Sequence, residues 1–363
     1  MQYCIVLTLI LLFEGDKQEA AWAPTQTDAL IVQFRDGTVG ERSDAKLSLL
    51  RCHDKPLSAA LQKELFNIFA KRNLPSEVRT DAMYVLLETT AALAAFEESL
   101  QKIAALNSES VEIRVSAIFG LQIILRSHAG KAVSTNLLFK ILADQNQPAS
   151  IRVVAGNAIF EDHTSRDKLF KVLAKLVASP DESYDARFQM LRLIPLAILS
   201  TPKNCESLAT VLMQLAVDTT ESVHFRNEAL NCLAAIVAQI EFDSIDMTQM
   251  SERLSRELTK LVADPENHRR IREAAGQALC VCPKVDAVLL TALNEMLISQ
   301  ERYIHEYAAR ALMSFGKEAK SSVPRLINIW NDMRESKETH EAVEDALLAI
   351  DPAKAGQLGI TEK

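Results

Sequence analysis

"VEIRVSAIFGLQIIL", residues Val111 to Leu125, decides the fold. Ile113, Ala117 and Leu121 recur every fourth position, so they share one face of a helix. An arginine, Arg114, follows the first of them, and nearly the same phrase returns along the chain. With Arg114 as the anchor, arginines in the same setting stand at Arg42, Arg79, Arg152, Arg187, Arg226 and Arg272, and histidines take the place at His305 and His340. Successive anchors lie 33 to 39 residues apart, except for one step of 46 from Arg226 to Arg272.

Three places after each anchor stand Ala45, Ala82, Ala117, Ala155, Met190, Ala229, Ala275, Ala308 and Val343. Seven places after stand Leu49, Leu86, Leu121, Ile159, Ile194, Leu233, Leu279, Leu312 and Leu347. The residue before the anchor is usually apolar: Val78, Ile113, Ile151, Phe225, Ile271, Ile304. These three columns fall on one helical face, which predicts a buried stripe on each anchored helix. A second leucine-rich stretch precedes each one, as in "DKLFKVLAKLVA" and "LSRELTKLVAD". An acidic turn residue often lies between the two: Asp36, Asp144, Asp181, Asp218, Asp264, Asp332. A helix pair of this length cannot bury its apolar face alone, so the pairs must stack.

"NHRRIREAAGQALCVC" from Asn267, "RYIHEYAARALMSFGKEAKSSVPRLINIW" from Arg302 and "THEAVEDALLAIDPAKAG" from Thr339 resemble HEAT repeats, of the short kind shared with phycobilisome-lyase-like proteins. The resemblance covers about residues 28–350. It implies an all-α fold, a right-handed α-solenoid of about nine HEAT-like helix pairs forming one domain. Residues 1–27 then form a signal peptide or N-terminal tail, and residues 351–363 a C-terminal tail. The family commonly joins adjacent repeats by a ladder of aspartate and arginine. That makes Arg42, Arg79, Arg114, Arg152, Arg187, Arg226 and Arg272 structural, with Asp264 the expected mate of Arg272. The arginine stem can lie on apolar surface while its head bonds carbonyls or a turn acid. The last two anchors, His305 and His340, are expected to take over the arginine's bonds.

The pattern breaks in three places. The long step carries extra sequence near Val237 to Glu252, either a lengthened helix pair or a projecting loop. Pro195 falls inside an anchored helix and should kink or end it. At the N-terminus, Cys4 to Phe13 is a ten-residue apolar run followed by Ala20, Ala21 and Ala23. The run is too short to span a bilayer and suits a signal-peptide core, with export to the periplasm or medium as the consequence. No Lys or Arg precedes it and Glu14, Asp16 and Glu19 crowd the cleavage region, so a buried first helix in a cytoplasmic protein is the alternative.

The net charge of −8 argues against general binding to nucleic-acid phosphates. The six cysteines include no C-x-x-C pair and read as small buried residues. No nucleophile elbow, Walker loop, dinucleotide fingerprint or zinc spacing occurs, so no catalytic residue, metal or cofactor is expected.

A binding face is expected opposite the buried stripe, at the first and fifth positions after each anchor. In HEAT solenoids the second helices line the concave surface. Repeats two to five place Tyr84, Val115, Phe119, Val153, Phe188 and Arg192 there, and repeats seven to nine place Glu273, Glu306, Arg310 and Glu341. An apolar patch running into an acidic stretch suits a protein or peptide segment with an apolar and a basic part. The expected function is therefore a protein-interaction scaffold or adaptor. A phycobilisome-lyase-like enzyme or chaperone acting on a partner protein is the alternative that the resemblance implies. A nucleic-acid-binding HEAT protein would need a basic face that these positions do not supply.

Overall fold

The computed structural model describes residues 24–51, 57–89, 93–127, 132–198, 206–239, 245–281 and 287–361. The N-terminal apolar run lies outside them. Nine consecutive helix pairs make up the described chain. They are α1 (Pro24–Asp36) with α2 (Val39–Leu50), α3 (Ala59–Ala70) with α4 (Ser76–Thr89), α5 (Glu97–Ala105) with α6 (Val111–Arg126), and α7 (Ala132–Ala143) with α8 (Ala149–Ile159). Then follow α9 (Arg166–Ala178) with α10 (Tyr184–Ile198), α11 (Glu206–Val217) with α12 (Val223–Gln239), and α13 (Ile245–Ala263) with α14 (Arg269–Cys280). The series ends with α15 (Ala287–Met296) and α16 (Tyr303–Met313), α17 (Val323–Trp330) and α18 (Lys337–Ile350), and a short α19 (Pro352–Gln357). The described residues contain no strand.

Each pair packs internally, and each even-numbered helix from α2 to α16 also packs on the next even-numbered one. The odd-numbered helices form a second layer beside them. One continuous core runs between the layers. The small and large columns of the repeat fill it. Ala45, Ala82, Ala117, Ala155, Ala229, Ala275 and Ala308 are all fully buried, as are Leu86, Leu121, Ile159, Ile194, Leu233, Leu312 and Leu347. Small side chains at one position let the helices approach, and branched side chains one turn on fill the space between layers. Helix starts carry their own signals. Thr38 and Glu41 form a capping box on α2, and Ser58, Ser110 and Ser336 cap α3, α6 and α18.

Close packing explains one helical glycine and not another. A Cβ on Gly276 would lie 2.7–2.9 Å from Cγ, Cδ2 and Cβ of Tyr307 on the next even helix. Those atoms are the root of the ring and cannot swing aside. Gly276→Ala therefore lowers stability by about 1 kcal/mol or more despite alanine's better helix propensity. Gly40 in α2 has nothing within 4 Å of the same position. Gly40→Ala should raise stability by about 0.5–1 kcal/mol. Thermal unfolding of the two variants checks the opposite signs.

The long step lies in the helices themselves: α12 and α13, with 17 and 19 residues, are the longest among those described. Residues 240–244 between them are outside the described chain. Of the two outcomes expected at Pro195, a kink or an end, the end does not occur, since α10 continues to Ile198. Proline has no N–H to offer the carbonyl four residues back, that of Leu191. The Cys232 thiol of α12 donates to that carbonyl, at 3.2 Å. The neighbouring repeat thus supplies the missing donor, and burial pushes the Cys232 pKa well up, keeping it a thiol. The far end also differs from a free tail. Helix α19 packs on α18 and buries Ala355 and Ile360, so the folded unit reaches beyond residue 350.

Candidate docking face and the ladder behind it

The arginines do not line an open groove. Arg79, Arg114, Arg152, Arg226 and Arg272 are buried, and Arg187 is nearly so. Each points its Nε at the last turn of the preceding helix. The acceptors are the carbonyls of Phe69, Ala104, Leu142, Val177, Ala216 and Val262, at 2.7–2.9 Å. Those carbonyls are ones a helix C-terminus leaves without an intrahelical donor.

The guanidinium nitrogens then cross to the next repeat. Arg79 pairs with Glu109 and Arg152 with Glu182, each through two parallel bonds of 2.6–3.1 Å. Arg187 pairs with Glu221 and Arg272 with Glu301. Arg114 and Arg226 instead donate to the amide oxygens of Gln147 and Asn267, at 2.6 and 3.0 Å. All six acceptors sit in the turn between the two helices of the following repeat. The arginine hydrogen bonds, above all, hold the carboxyls of Glu109 and Glu182 below their ordinary range. Burial pushes the Arg114 and Arg226 pKa values down, because their direct partners are neutral.

Asp264 is not the mate of Arg272. It accepts from Asn267 Nδ2 at 3.0 Å and so stands behind the amide that holds Arg226, one repeat earlier. Asp144 stands behind Gln147 and Arg114 in the same way. The reason is direction: the arginine reaches forward along the solenoid, not back to its own turn. Arg42 is no rung either. It is half-buried and donates to its own repeat's Gly37 carbonyl at 3.1 Å. The next turn offers it Leu74, a side chain with no acceptor.

The exposed face of the even-numbered helices changes along the chain. In repeats one to five it carries apolar side chains among polar ones such as Ser43, Thr80, Asn157 and Arg192. Val39 is 73% exposed, Leu47 49%, Tyr184 43% and Val111 37%. Tyr84, Val115, Phe119, Val153 and Phe188 lie half-buried among them. Val115, Val153 and Phe188 also pack against the core. Lys46 Nζ sits 4.6 Å over the Tyr84 ring and pairs with Asp81, tying repeat one to repeat two. Burial raises the Tyr84 hydroxyl pKa.

Between repeats five and six the rings form a cluster. Phe188 stacks on Tyr184 at 6.0 Å and on His224 at 4.7 Å, and Arg187 lies 4.5 Å over Phe225. Tyr184 is an exposed member of the face that sequence reading missed. It stands three places before its anchor, one turn before Phe188, so it belongs to the same stripe. Arg192 is exposed.

In the second half of the face the three glutamates expected there have cations beside them. Glu273 pairs with Arg269, Glu306 with Arg310, and Glu341 with Lys337, each one turn apart on its own helix. These three glutamates are answered by cations on the same helix surface, while Asp345 on α18 stays exposed. Among the described residues, no group of three His, Cys, Asp or Glu side chains could hold a metal ion, and no helix is long and apolar enough to cross a membrane.

No family model and no curated protein matches the chain. Solved structures do. An engineered protein matches with a TM-score of 0.51 at 17% identity, over 92% of this chain and 93% of that one. Importin beta matches with a TM-score of 0.61 at 13% identity, over 92% of this chain and 49% of that one. The fold is a HEAT-like solenoid. The karyopherin Kap121p, solved bound to the SUMO protease Ulp1p, matches with a TM-score of 0.58 at 13% identity. That match covers 89% of this chain and 36% of Kap121p. The chain thus spans about half the length of importin beta and about a third of Kap121p. At these identities the likeness is one of fold.

Proposed function

We propose that this chain is a protein-interaction scaffold that holds a segment of a partner protein against the even-numbered helices of repeats one to five. One observation carries this reading: exposed and half-exposed apolar side chains, Val39, Leu47, Tyr84, Val111, Phe119 and Tyr184 among them, recur on that face through five successive repeats. Solvated helix faces are normally polar, so a gathered apolar patch marks a contact surface. The ladder makes the face suitable, because it fixes the spacing between repeats and so the spacing of the side chains they present. Kap121p, of like fold, has been solved with protein partners including Nup53p and Ste12p, which supports protein binding as a use of this architecture.

Phe119 is the central aromatic of the patch and is half-buried. Central aromatics commonly carry much of an interface's binding energy. Phe119→Ala should weaken partner binding by more than about 1 kcal/mol while leaving the unfolding temperature nearly unchanged. The measurement is calorimetric titration of a partner captured by pull-down, beside thermal unfolding of the same variant. A partner that binds wild type and Phe119→Ala equally well would remove this face from the function.

A further inference from the structure

The even-numbered helices of repeats two to five present more acid than base. Their cations are Arg79, Arg114, Arg126, Arg152, Arg187 and Arg192. Arg79, Arg114, Arg152 and Arg187 belong to the ladder, and Arg126 pairs with Glu161. That leaves Arg192. Among the acids, Asp81 pairs with Lys46 of repeat one. Glu77, Glu88, Glu112 and Asp185 are exposed, and none forms an ion pair among the described residues. Glu88 lies close enough to Tyr84 that its charge adds to burial in raising the hydroxyl pKa. Sequence reading puts the contact for a basic partner at the glutamates of repeats seven to nine, but those have cations beside them. Acid without a cation instead stands next to the apolar side chains of repeats two to five.

These acids are in register. Glu77 stands seven places before Tyr84 on α4, and Glu112 seven places before Phe119 on α6. Seven residues are close to two helical turns, so each acid shares its aromatic's stripe, about 10 Å nearer the helix start. Asp185 holds the same place on α10. Successive even-numbered helices pack side by side, and packed helices lie about 8–10 Å apart. Two rows therefore run along the solenoid. One passes through Leu47, Tyr84 and Phe119, and the other through Glu77, Glu112 and, past Ser150, Asp185. A carboxylate also favours its own helix start. Helix α8 forms with no acid in its first turn, so helix formation alone does not require the row.

We propose, resting on the docking reading above, that the occupant is an amphipathic helix with a basic flank, lying along the solenoid across α4 to α10. A helix with its side chains is about 10–12 Å across. Its apolar stripe can sit on the Tyr84–Phe119 row while lysines or arginines on its flank reach the acid row. An extended segment cannot serve both rows, because its alternate side chains turn to opposite faces. The repeat lengths agree as well. Seven helical residues advance about 10.5 Å, close to one step between even-numbered helices. Apolar side chains at about every seventh residue of the partner then meet successive repeats.

The test uses the full chain and three synthetic peptides of about 21 residues, followed by fluorescence anisotropy. The first has leucine at the first and fourth places of each heptad and lysine on one flank. The second has glutamate for lysine. The third keeps the lysines and carries two central prolines, which break the helix. The lysine peptide should bind about tenfold or more tightly than either of the others. Glu77→Lys/Glu112→Lys should remove its advantage over the glutamate peptide. Glu77→Gln/Glu112→Gln, milder at the two helix starts, should shrink it. The proposal is overturned if the lysine peptide does not bind, if either other peptide binds as well, or if the advantage survives both double variants. Phe119→Ala separates this failure from that of the docking reading. A captured partner that needs Phe119 while the lysine peptide fails keeps the face in use and removes only the basic helix. A lysine peptide that binds wild type and Phe119→Ala alike removes the face itself, and this proposal with it.

Discussion

Arg152→Met destabilises the protein by about 3–5 kcal/mol. Arg152 and Glu182 have side chains only 2% and 4% exposed and meet through two parallel bonds. The net worth of such a pair is modest, since both charges were well solvated before folding. Removing one partner is a different matter. Glu182 would stay buried without its cation, and the Leu142 carbonyl would lose the Nε donor that answers it. The damage should centre on the junction of repeats four and five, because repeats in a solenoid touch only their neighbours. Arg152→Met/Glu182→Leu should recover much of the loss but not all, since the Leu142 carbonyl remains without that donor.

The pH dependence supplies a second reading of the same pair. The Arg152 hydrogen bond holds the Glu182 pKa below its ordinary value of 4.5. A depressed carboxylate contributes stability that is present above the unfolded-state value and is lost as pH falls through the folded one. Wild type should therefore lose this contribution on acidification below about pH 4.5, and the double variant should lack that part of the acid limb. Chemical unfolding of the three proteins across this range measures both effects. A single variant that unfolds within about 1 kcal/mol of wild type would show that the rung bears little of the repeat-to-repeat coupling.

The core was legible because its signal is local and repeated. Offsets of −1, +3 and +7 lie within two turns of one helix, and a small or branched residue at each place has one physical reason to be there. The forward partners of the ladder were not. Glu109, Gln147, Glu182, Glu221 and Asn267 each stand five places before the next anchor, but they mix acids with amides and serve an arginine one repeat away. The conspicuous aspartates nearby drew the pairing to the wrong residues. They hold the turn, as where Asp218 accepts from the Thr220 N–H, or stand behind an amide. The answered glutamates were readable in principle, since Arg269–Glu273, Glu306–Arg310 and Lys337–Glu341 all stand four apart. Reading the face by its first and fifth columns included Arg310 but left out Arg269 and Lys337. Pro195 shows a further limit: its lost donor is written in the sequence, but the compensating thiol of Cys232 comes from the next repeat.

Leu121→Ala should cost about 2–5 kcal/mol, the second large effect expected. Leu121 is fully buried in α6, two residues from Phe119 on the same helix. Its neighbours leave it little room to be replaced by movement. Gly120 beside it is so close-packed that a Cβ there would lie 2.9 Å from Leu100. Close packing limits how far the surroundings can collapse, which pushes the cost toward the upper end of the range. Phe119 carries more carbon than Leu121, yet it lies half in solvent, so less of its surface leaves water on folding. The pair therefore separates what supports the solenoid from what the solenoid presents. Leu121→Ala should lower the unfolding midpoint strongly, and partner affinity measured on the remaining folded fraction should change little. Phe119→Ala should do the reverse. If both variants unfold at the same denaturant concentration, Phe119 belongs to the packing between repeats three and four, and the partner's contacts must lie elsewhere on the even helices.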